Sequence, residues 1–409
     1  MRLRIFGAVG AMFLLPVLAF AGQNPPDDFV VHGTINIALG NENGVVVLTD
    51  SMLSSGGHQL QEPGQKLFKL DDKTVCAIAG FASAPASSPE AAVPDLNTST
   101  SAIIHEYVRQ SAQERPQSIV EKLRALASIF EIQLSAIANV RDALGNVTAI
   151  DKYRFQLIVA GYDTDNKLKI GRITLRTNSS LRSEVEDACI SIVEEKLIWK
   201  LNGMPDVAEQ ILQHPEAGPK DPVLDLYATS LRENGGLSLT VEQMVALAKR
   251  LAYYTSKAHP EVGGLNQVAI FQKSQTVSIE QPHFPELPRP LFRFSLVVDS
   301  HFRGTNSVKF VPGVPFIFVR CSFAAMEHEL DGHYYIGNDF TDSALTYDGG
   351  GTDLGKTNRV TNSVLLIGPD AIMEDETVWR LIAAFSWSQV AHAVPKAKPW
   401  QVVPSDRPE

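Results

Sequence analysis

The sequence predicts an α+β layered domain followed by a smaller all-β domain, and three observations carry that prediction. Alternating strand segments open and close the region 34–280 and enclose two groups of helical segments. A proline-dense stretch at 281–290 then breaks all periodicity, and beyond it short strands and glycine turns recur about every 17 to 20 residues. The length of 409 residues exceeds one typical core of roughly 100 to 200 residues, so two globular units are expected. Hydrophobic content of 44% with 20% charged residues fits folded domains rather than disorder.

The elements follow in order. Thr34 to Gly40 alternates apolar and polar residues, Asn43-Gly44 supplies a tight-turn signal, and Val45 to Leu48 returns, which predicts a β-hairpin. Two more strands are expected at Lys66 to Leu70 and Thr74 to Ala79. From Ser101 to Asp142 the apolar positions recur at helical spacing, with Pro116 starting the second helix of a pair. Strands are expected at Tyr153 to Tyr162 and Lys167 to Thr177, helices at Val185 to Leu201, Pro205 to Leu212 and Thr240 to Ser256, and a closing strand at Gln267 to Gln272. Sheets packed together with helices on their outer faces satisfy this order.

The connector Gln281 to Pro290 lacks the backbone donors needed for a helix or ladder and reads as a domain boundary. In the region 291–394 the segments Arg320-Cys-Ser-Phe323, Asn338-Asp-Phe340 and Asn358-Arg-Val360 recur. So do the endings Leu330-Asp-Gly332, Leu345-Thr-Tyr-Asp-Gly349 and Leu365-Leu-Ile-Gly368. They predict coils of a small β-solenoid, or else a small antiparallel sandwich, with Thr377 to Phe385 as a helical end-piece and 395–409 as a tail.

The N-terminus follows another logic. Arg2 and Arg4 precede an apolar run from Ile5 to Phe20 that ends Ala19-Phe20-Ala21, the pattern of a secretory signal over residues 1–21. Residues 22–33, with Pro25, Pro26, Asp27 and Asp28, read as linker or propeptide. The chain is therefore expected to be exported, to a periplasmic or extracellular space, and no later segment reads as a membrane span. A net charge of −10 without a basic cluster argues against nucleic acid as a partner. Cys76, Cys189 and Cys321 form neither a disulfide framework nor a metal-ligand spacing.

The informative constellation is Thr34, Asp50, Lys66 and Gly80, separated by 16, 16 and 14 residues and spread over the first four strands. Threonine is a weak nucleophile until a base takes its proton. At a chain's own N-terminus it has one, because the α-amine has a pKa of roughly 7.7 to 8.0. Freeing that amine requires cutting after Gly33, a residue with no Cβ to obstruct an intramolecular attack. Lys66 would place a fixed positive charge beside the Thr34 hydroxyl, Asp50 would hold the ammonium, and the Gly80 N–H would donate to the oxyanion of the tetrahedral intermediate.

These residues resemble the proteasome β-subunit family and its bacterial relatives, within the N-terminal nucleophile hydrolases. Gly33-Thr34, Gly44-Val-Val-Val-Leu-Thr-Asp-Ser51, Lys66-Leu-Phe-Lys-Leu70 and Ala77-Ile-Ala-Gly80 carry the similarity, which extends more weakly through Leu157-Ile-Val-Ala-Gly-Tyr-Asp163 and Gly263-Gly264 to about Lys273. The resemblance implies an αββα sandwich over 34–280, self-cleavage before Thr34 and peptide-bond hydrolysis. Where many family members place an Asp and a Ser before the late Gly-Gly, this chain has His259-Pro-Glu-Val262, and the serine expected ahead of the next helix is not evident near Leu201-Asn-Gly203.

Other patterns carry less. Glu327-His-Glu-Leu-Asp-Gly-His333 has the wrong spacing for a zinc-binding helix, and Asp348-Gly-Gly-Gly351 lacks the Lys-Ser/Thr of a phosphate loop. The expectation is an exported, self-processing threonine amidohydrolase that needs no cofactor or metal. Its partners would be a peptide or amide substrate and, at most, further copies of the chain in a homo-oligomer. The rival readings are a catalytically silent proteasome-like scaffold and a hydrolase of non-peptidic amides, as in acylases.

Overall fold

A computed structural model describes residues 30–392 apart from Gly33 and several internal stretches, of which 84–99, 144–153, 285–293 and 305–312 are the longest. The signal segment 1–21, most of the expected propeptide including Gly33, the second half of the connector and the tail lie outside the described residues.

The N-terminal unit is a sandwich of two sheets between two helical layers. Its strands are β1 (Val30–His32), β2 (Ile35–Asn41), β3 (Gly44–Thr49), β4 (Ser54–Ser55), β5 (His58–Gln59), β6 (Leu67–Lys69), β7 (Thr74–Ser83), β8 (Arg154–Tyr162), β9 (Leu168–Thr177), β10 (Ser183–Ile192), β11 (Ile198–Gly203), β12 (Gln267–Gln272) and β13 (Ser278–Glu280). The first sheet runs β10-β9-β8-β7-β1-β4-β5, with β6 also on β7. The second runs β11-β2-β3-β12-β13. Helices α1 (Thr100–Ser111) and α2 (Ile119–Ala143) cover the first sheet, and α3 (Asp206–Gln213), α4 (Pro222–Asn234) and α5 (Val241–Ala258) the second.

Strand periodicity explains why β2 is buried on both faces. Ile35, Ile37 and Leu39 pack toward α3, α4 and α5, whereas Ala38 joins Val45, Val47, Ala77 and Ile158 between the sheets. At the hairpin tip a Cβ on Gly44 would lie 2.2 Å from the Phe271 carbonyl, so the turn admits only glycine. Helix α2 sets Ile119, Leu123, Leu126, Phe130, Leu134 and Ile137 on the first sheet, each fully buried large side chain contributing roughly 1.5–3 kcal/mol. This helix has the length and composition to cross a membrane, yet 61% of its most apolar window is buried in the domain.

Four expectations require correction. The helix expected over Val185 to Leu201 is two strands, β10 and β11: Ala188, Ile190 and Ile192 follow a strand period, and β10 pairs with β9 along its length with a register shift between Val185 and Asp187. Helix α4 was not expected, although Asp221 caps it by accepting from the Val223 N–H, Pro222 opens it and Gly235 closes it in the left-handed region. Strand β13 was not expected either. Among the described residues regular structure is already present at Val30, ahead of Thr34, since β1 pairs with both β7 and β4.

The C-terminal unit is a parallel β-solenoid, and so the antiparallel alternative does not apply. Three sheets stack the strands Ser295–Val298, Phe316–Val319 and Tyr334–Ile336; His301–Arg303, Ser322–Ala324, Asp339–Thr341 and Arg359–Thr361; and Glu327–Glu329, Ala344–Tyr347, Val364–Ile367 and Val390–His392. The corners repeat as columns of left-handed residues: Asp299, Arg320 and Gly337 at one, Gly304, Ala325, Asp342 and Asn362 at the next. Phe302, Phe323 and Phe340 stack through the interior at 5.0 and 4.8 Å. The expected end-piece Thr377 to Phe385 lies largely outside the described residues.

The solenoid packs on the C-terminal half of α2, where Ala136 and Val140 meet Phe294, Ile317, Val319 and Ile336. Arg320 fastens the contact, donating to Asp142 at 2.7 Å, to the Asn139 side chain at 3.1 Å and to Asp299 at 2.8 Å.

Candidate active site

Thr34 directly precedes β2 and is fully buried. Its carbonyl accepts from the Met204 N–H at 2.8 Å, where β11 runs out alongside β2. This approach is possible because residue 203 is glycine: φ is +83° and a Cβ would lie 1.9 Å from the Thr34 carbonyl oxygen. Among the described residues the Thr34 hydroxyl has no hydrogen-bond partner.

Asp50 follows β3 and is almost fully buried. Its Oδ1 accepts from the Ile35 N–H at 3.1 Å and from the Lys66 ammonium at 3.1 Å. Its Oδ2 accepts from the N–H groups of Gly263 at 3.0 Å and Met52 at 3.3 Å. The carboxylate thus ties the start of β2, the end of β3 and the late Gly263-Gly264 loop to one point. That loop is held further by Ser51, whose Oγ accepts from the Leu265 N–H at 2.8 Å.

Lys66 is completely buried. Its backbone is clamped by Gln267 of β12, whose Oε1 accepts from the N–H groups of Lys66 and Leu67 and whose Nε2 donates to the Gly64 carbonyl at 2.7 Å. Among the described residues Asp50 is the only partner of the ammonium, although an ammonium carries three donors. Burial pushes the Lys66 ammonium down to about 8 against the opposing pull of Asp50. Burial likewise pushes the Asp50 carboxyl up, and Lys66 and the backbone donors only partly offset it.

Gly80 lies in β7 at φ +122°, where a Cβ would stand 2.4 Å from the Arg154 carbonyl oxygen. Across the sheet it is paired with His32 of β1, the residue before Gly33. An extended segment therefore lies in antiparallel register on the β7 edge immediately upstream of Thr34.

Thr34, Asp50 and Lys66 are thus gathered at one end of the second sheet, and Gly80 sits on the strand that pairs with β1. Gly33 is outside the described residues. Sequence reasoning missed Gln267 and Gly203; their signal is a polar or glycine residue at the end of an otherwise apolar strand. His259, in the segment that departs from the family pattern, pairs with Asp206 at 2.8 Å, and Val262 is buried. In the solenoid His328 bonds the Tyr335 hydroxyl at 2.7 Å and His333 Nδ1 faces the Phe316 N–H at 3.2 Å. No group of three or more metal-ligating side chains converges among the described residues.

Residues 30–84 match the proteasome subunit family. That stretch of the N-terminal unit is similar to proteasome subunits. The chain is 32% identical over 157 residues to a proteasome subunit beta of Mycolicibacterium gilvum, a match that spans 38% of this chain and 44% of the relative. It is 32% identical over 151 residues to the proteasome subunit beta of Mycolicibacterium vanbaalenii, spanning 36% and 42%, and 31% identical over 157 residues to one from Mycobacterium sp. strain KMS, spanning 38% and 44%. The chain therefore spans less than half the length of the curated relatives it matches. Thr34, Asp50, Lys66 and Gly80 all lie within the matched segment.

Proposed function

We propose that the chain is an exported, self-processing N-terminal-threonine amidohydrolase that acts as a peptidase on short or unfolded peptides. The observation that carries this reading is the buried Lys66–Asp50 pair at the start of β2, where Thr34 presents a hydroxyl with no partner among the described residues. A buried ion pair is an expensive way to stabilise a fold, because desolvation offsets most of its attraction. Beside a nucleophile the same charge stabilises an alkoxide-like oxygen.

In the uncleaved chain Thr34 Oγ1 attacks the Gly33 carbonyl carbon. The Gly33–Thr34 C–N bond breaks, an ester to Oγ1 forms, and the hydroxyl proton ends on the departing nitrogen. Water then hydrolyses the ester, leaving a Gly33 carboxylate and a free Thr34 amine. In turnover that amine accepts the hydroxyl proton, Lys66 supplies charge, and the Gly80 N–H donates to the oxyanion. The pairing of β1 with β7 supports a substrate bound as an extended strand, since main-chain bonds to that edge do not depend on side chains. Residues 1–21 would direct export and 22–33 would be the segment removed, while further copies of the chain are proposed partners alongside the substrate.

Mass spectrometry tests the reading. A chain begun at Gly22 should lose residues 22–33 unaided and hydrolyse a fluorogenic peptide, and Thr34→Ala should block both while keeping the fold. A folded wild-type chain that stays uncut and inactive at neutral pH would refute the proposal.

A further inference from the structure

Between α2 and the first coil of the solenoid lies a cleft of about 820 Å³ that the proposed mechanism does not use. Every residue from Ser295 to Ser300 lines it. A strand showing one face would supply alternate residues only, so the edge of this first solenoid strand borders the cleft. The Ser295 N–H donates to the Pro315 carbonyl at 2.9 Å and the Asp299 N–H to the Val319 carbonyl at 3.0 Å. Alternation along the strand turns the main-chain groups of Leu296 and Val298 the other way, toward the cleft. Ser295–Val298 ends its sheet, and among the described residues no strand pairs with that edge.

The wall formed by α2 is unfinished in the same place. The helix follows the solenoid coil by coil. A Cβ on Gly337 of the third coil would stand 3.7 Å from Ala143, Arg320 of the second bonds Asn139 and Asp142, and the first shares the cleft with Ser135. A helical turn of about 5.4 Å nearly matches a strand spacing of about 4.8 Å, so each turn meets one coil. The next turn, with Glu131 and Ile132, extends past the first coil and lines the cleft. Ile132 continues the stripe of Ala143, Val140 and Ala136 at helical spacing, yet it is 40% exposed, with no coil opposite it among the described residues. The buried Ser183 Oγ has no hydrogen-bond partner among the described residues, and neither Glu131 nor Arg182 has an ion-pair partner among them.

We propose that this cleft binds an unfolded polypeptide as an added strand on the edge of Ser295–Val298, and so holds substrate for the site at Thr34. The inference rests on the proposed function and names where its substrate docks. An added strand completes both walls at once: its main chain bonds Leu296 and Val298, and an apolar side chain covers Ile132. A folded protein keeps its strand groups paired and its apolar side chains inside, so an unfolded chain is the partner that offers both. One free charge of each sign, at Glu131 and Arg182, suits a polypeptide rather than a phosphate or another small anion. The volume falls within the roughly 300–1,000 Å³ of ligand sites, room for one extended segment and not for the sheet of a second copy. The chain's own connector carries Pro285, Pro288 and Pro290, its leader Pro25 and Pro26, and its tail Pro395, Pro399 and Pro404. Proline removes the donors that an added strand needs.

Binding is measured by fluorescence anisotropy on the chain from Gly22 carrying Thr34→Ala. The probe is a dye-labelled, proline-free peptide in which Val alternates with Lys and Glu, compared with the same peptide N-methylated at its central amides. The unmodified peptide should bind at least tenfold more tightly. Val298→Pro, which removes a cleft-facing donor and no ladder bond, and Ile132→Asp should each weaken binding at least fivefold. No binding, equal affinity for the N-methylated peptide, or undiminished affinity in either variant would overturn the site whether or not the wild type cleaves. On chains begun at Thr34, both variants should lower kcat/KM for an unfolded protein at least fivefold more than for a short fluorogenic peptide. Equal losses, or none for the unfolded protein, would overturn the link to Thr34, whereas a chain that binds and never cleaves would refute the proposed function instead. Should Val298→Pro fail to fold, Ile132→Asp and the N-methylated peptide supply the same comparison.

Discussion

Replacing Lys66 separates its two roles, stability and catalysis. Lys66→Met removes the charge and keeps most of the volume. Both partners are buried and the contact is 3.1 Å. Breaking such a pair by deleting one ion typically costs about 3–5 kcal/mol, because the other charge is left buried. Here the stranded Asp50 keeps three backbone N–H donors, from Ile35, Met52 and Gly263, which places the loss near the lower end, at about 3 kcal/mol. Turnover should fall by at least about a hundredfold, roughly 2.7 kcal/mol of transition-state stabilisation, if the charge acts on Thr34. Lys66→Arg should rescue neither quantity, since a planar guanidinium cannot enter a closed site fitted to an ammonium. Asp50→Asn is predicted to be at least as damaging to stability as Lys66→Met. Each carboxylate oxygen accepts two donors, and an amide must turn its NH₂ toward one of those pairs. Urea unfolding gives the stabilities, and a fluorogenic peptide panel gives the rates, on chains begun at Thr34 so that failed processing does not imitate failed catalysis. Wild-type turnover in a destabilised Lys66→Met would show Lys66 to be an ion-pair partner only, and the proposed activation would have to be abandoned.

Three further outcomes are expected. Gly203→Ala should lower both the melting temperature and turnover, the latter more than tenfold, because its Cβ would overlap the Thr34 carbonyl; an unchanged rate would mean that this contact does not position Thr34. Between pH 8 and 10.5 the unfolded lysine holds a proton that folded Lys66, at about 8, has released, so the stability of the wild type should rise with pH by at most about 3 kcal/mol relative to Lys66→Met. Urea midpoints at pH 7.5 and 10 measure that rise, and a flat or falling difference would contradict a depressed Lys66. Limited proteolysis should cut first within Gln281 to Pro290, yet the two pieces should stay associated through α2 until Arg320→Ala loosens them, as size-exclusion chromatography would report.

Asp50, Lys66 and Gly80 could be read from the sequence because each lies on or directly beside a strand within 50 residues of Thr34, where neighbouring strands fold back on one another at near-regular spacing. The groups that hold them could not. Gln267 clamps Lys66 across 201 residues, and Gly263 reaches Asp50 across 213, contacts that no local period announces. The region Val185 to Leu201 was misread because its apolar residues at 185, 188 and 192 also fit a helical spacing. Strand pairing with β9 decides the matter, and the edge position leaves Val185, Ile190 and Ile192 over 40% exposed or close to it. Helix α4 carried readable start and stop residues at Asp221, Pro222 and Gly235, but it follows a short helix and a proline-rich turn that look like one loop. The solenoid period was legible because each coil repeats the same corner, and a left-handed corner favours Gly, Asn and Asp.

The position of the solenoid follows from the ladder rather than from any one contact. Ala79, beside Gly80, pairs with Gln156 near the start of β8, and Arg154 pairs with Arg176 near the end of β9. β9 turns through Asn178 to Arg182 into β10, and the Leu181 carbonyl in that turn accepts from Asn139 of α2 at 3.1 Å. Asn139 and Asp142 are the residues that Arg320 grips. Two inter-strand steps of about 4.8 Å, from β7 to β8 and from β8 to β9, therefore separate Gly80 from the turn against which the solenoid is anchored. The second unit is fixed at the end of the sandwich that carries the candidate site, not at the far end where the Gly44 hairpin lies. A mere appendage could be attached anywhere on the helical layers, whereas this attachment places the first coil, Ser295–Val298, against α2 and on one cleft with Ser180, Arg182 and Ser183 at the turn between β9 and β10.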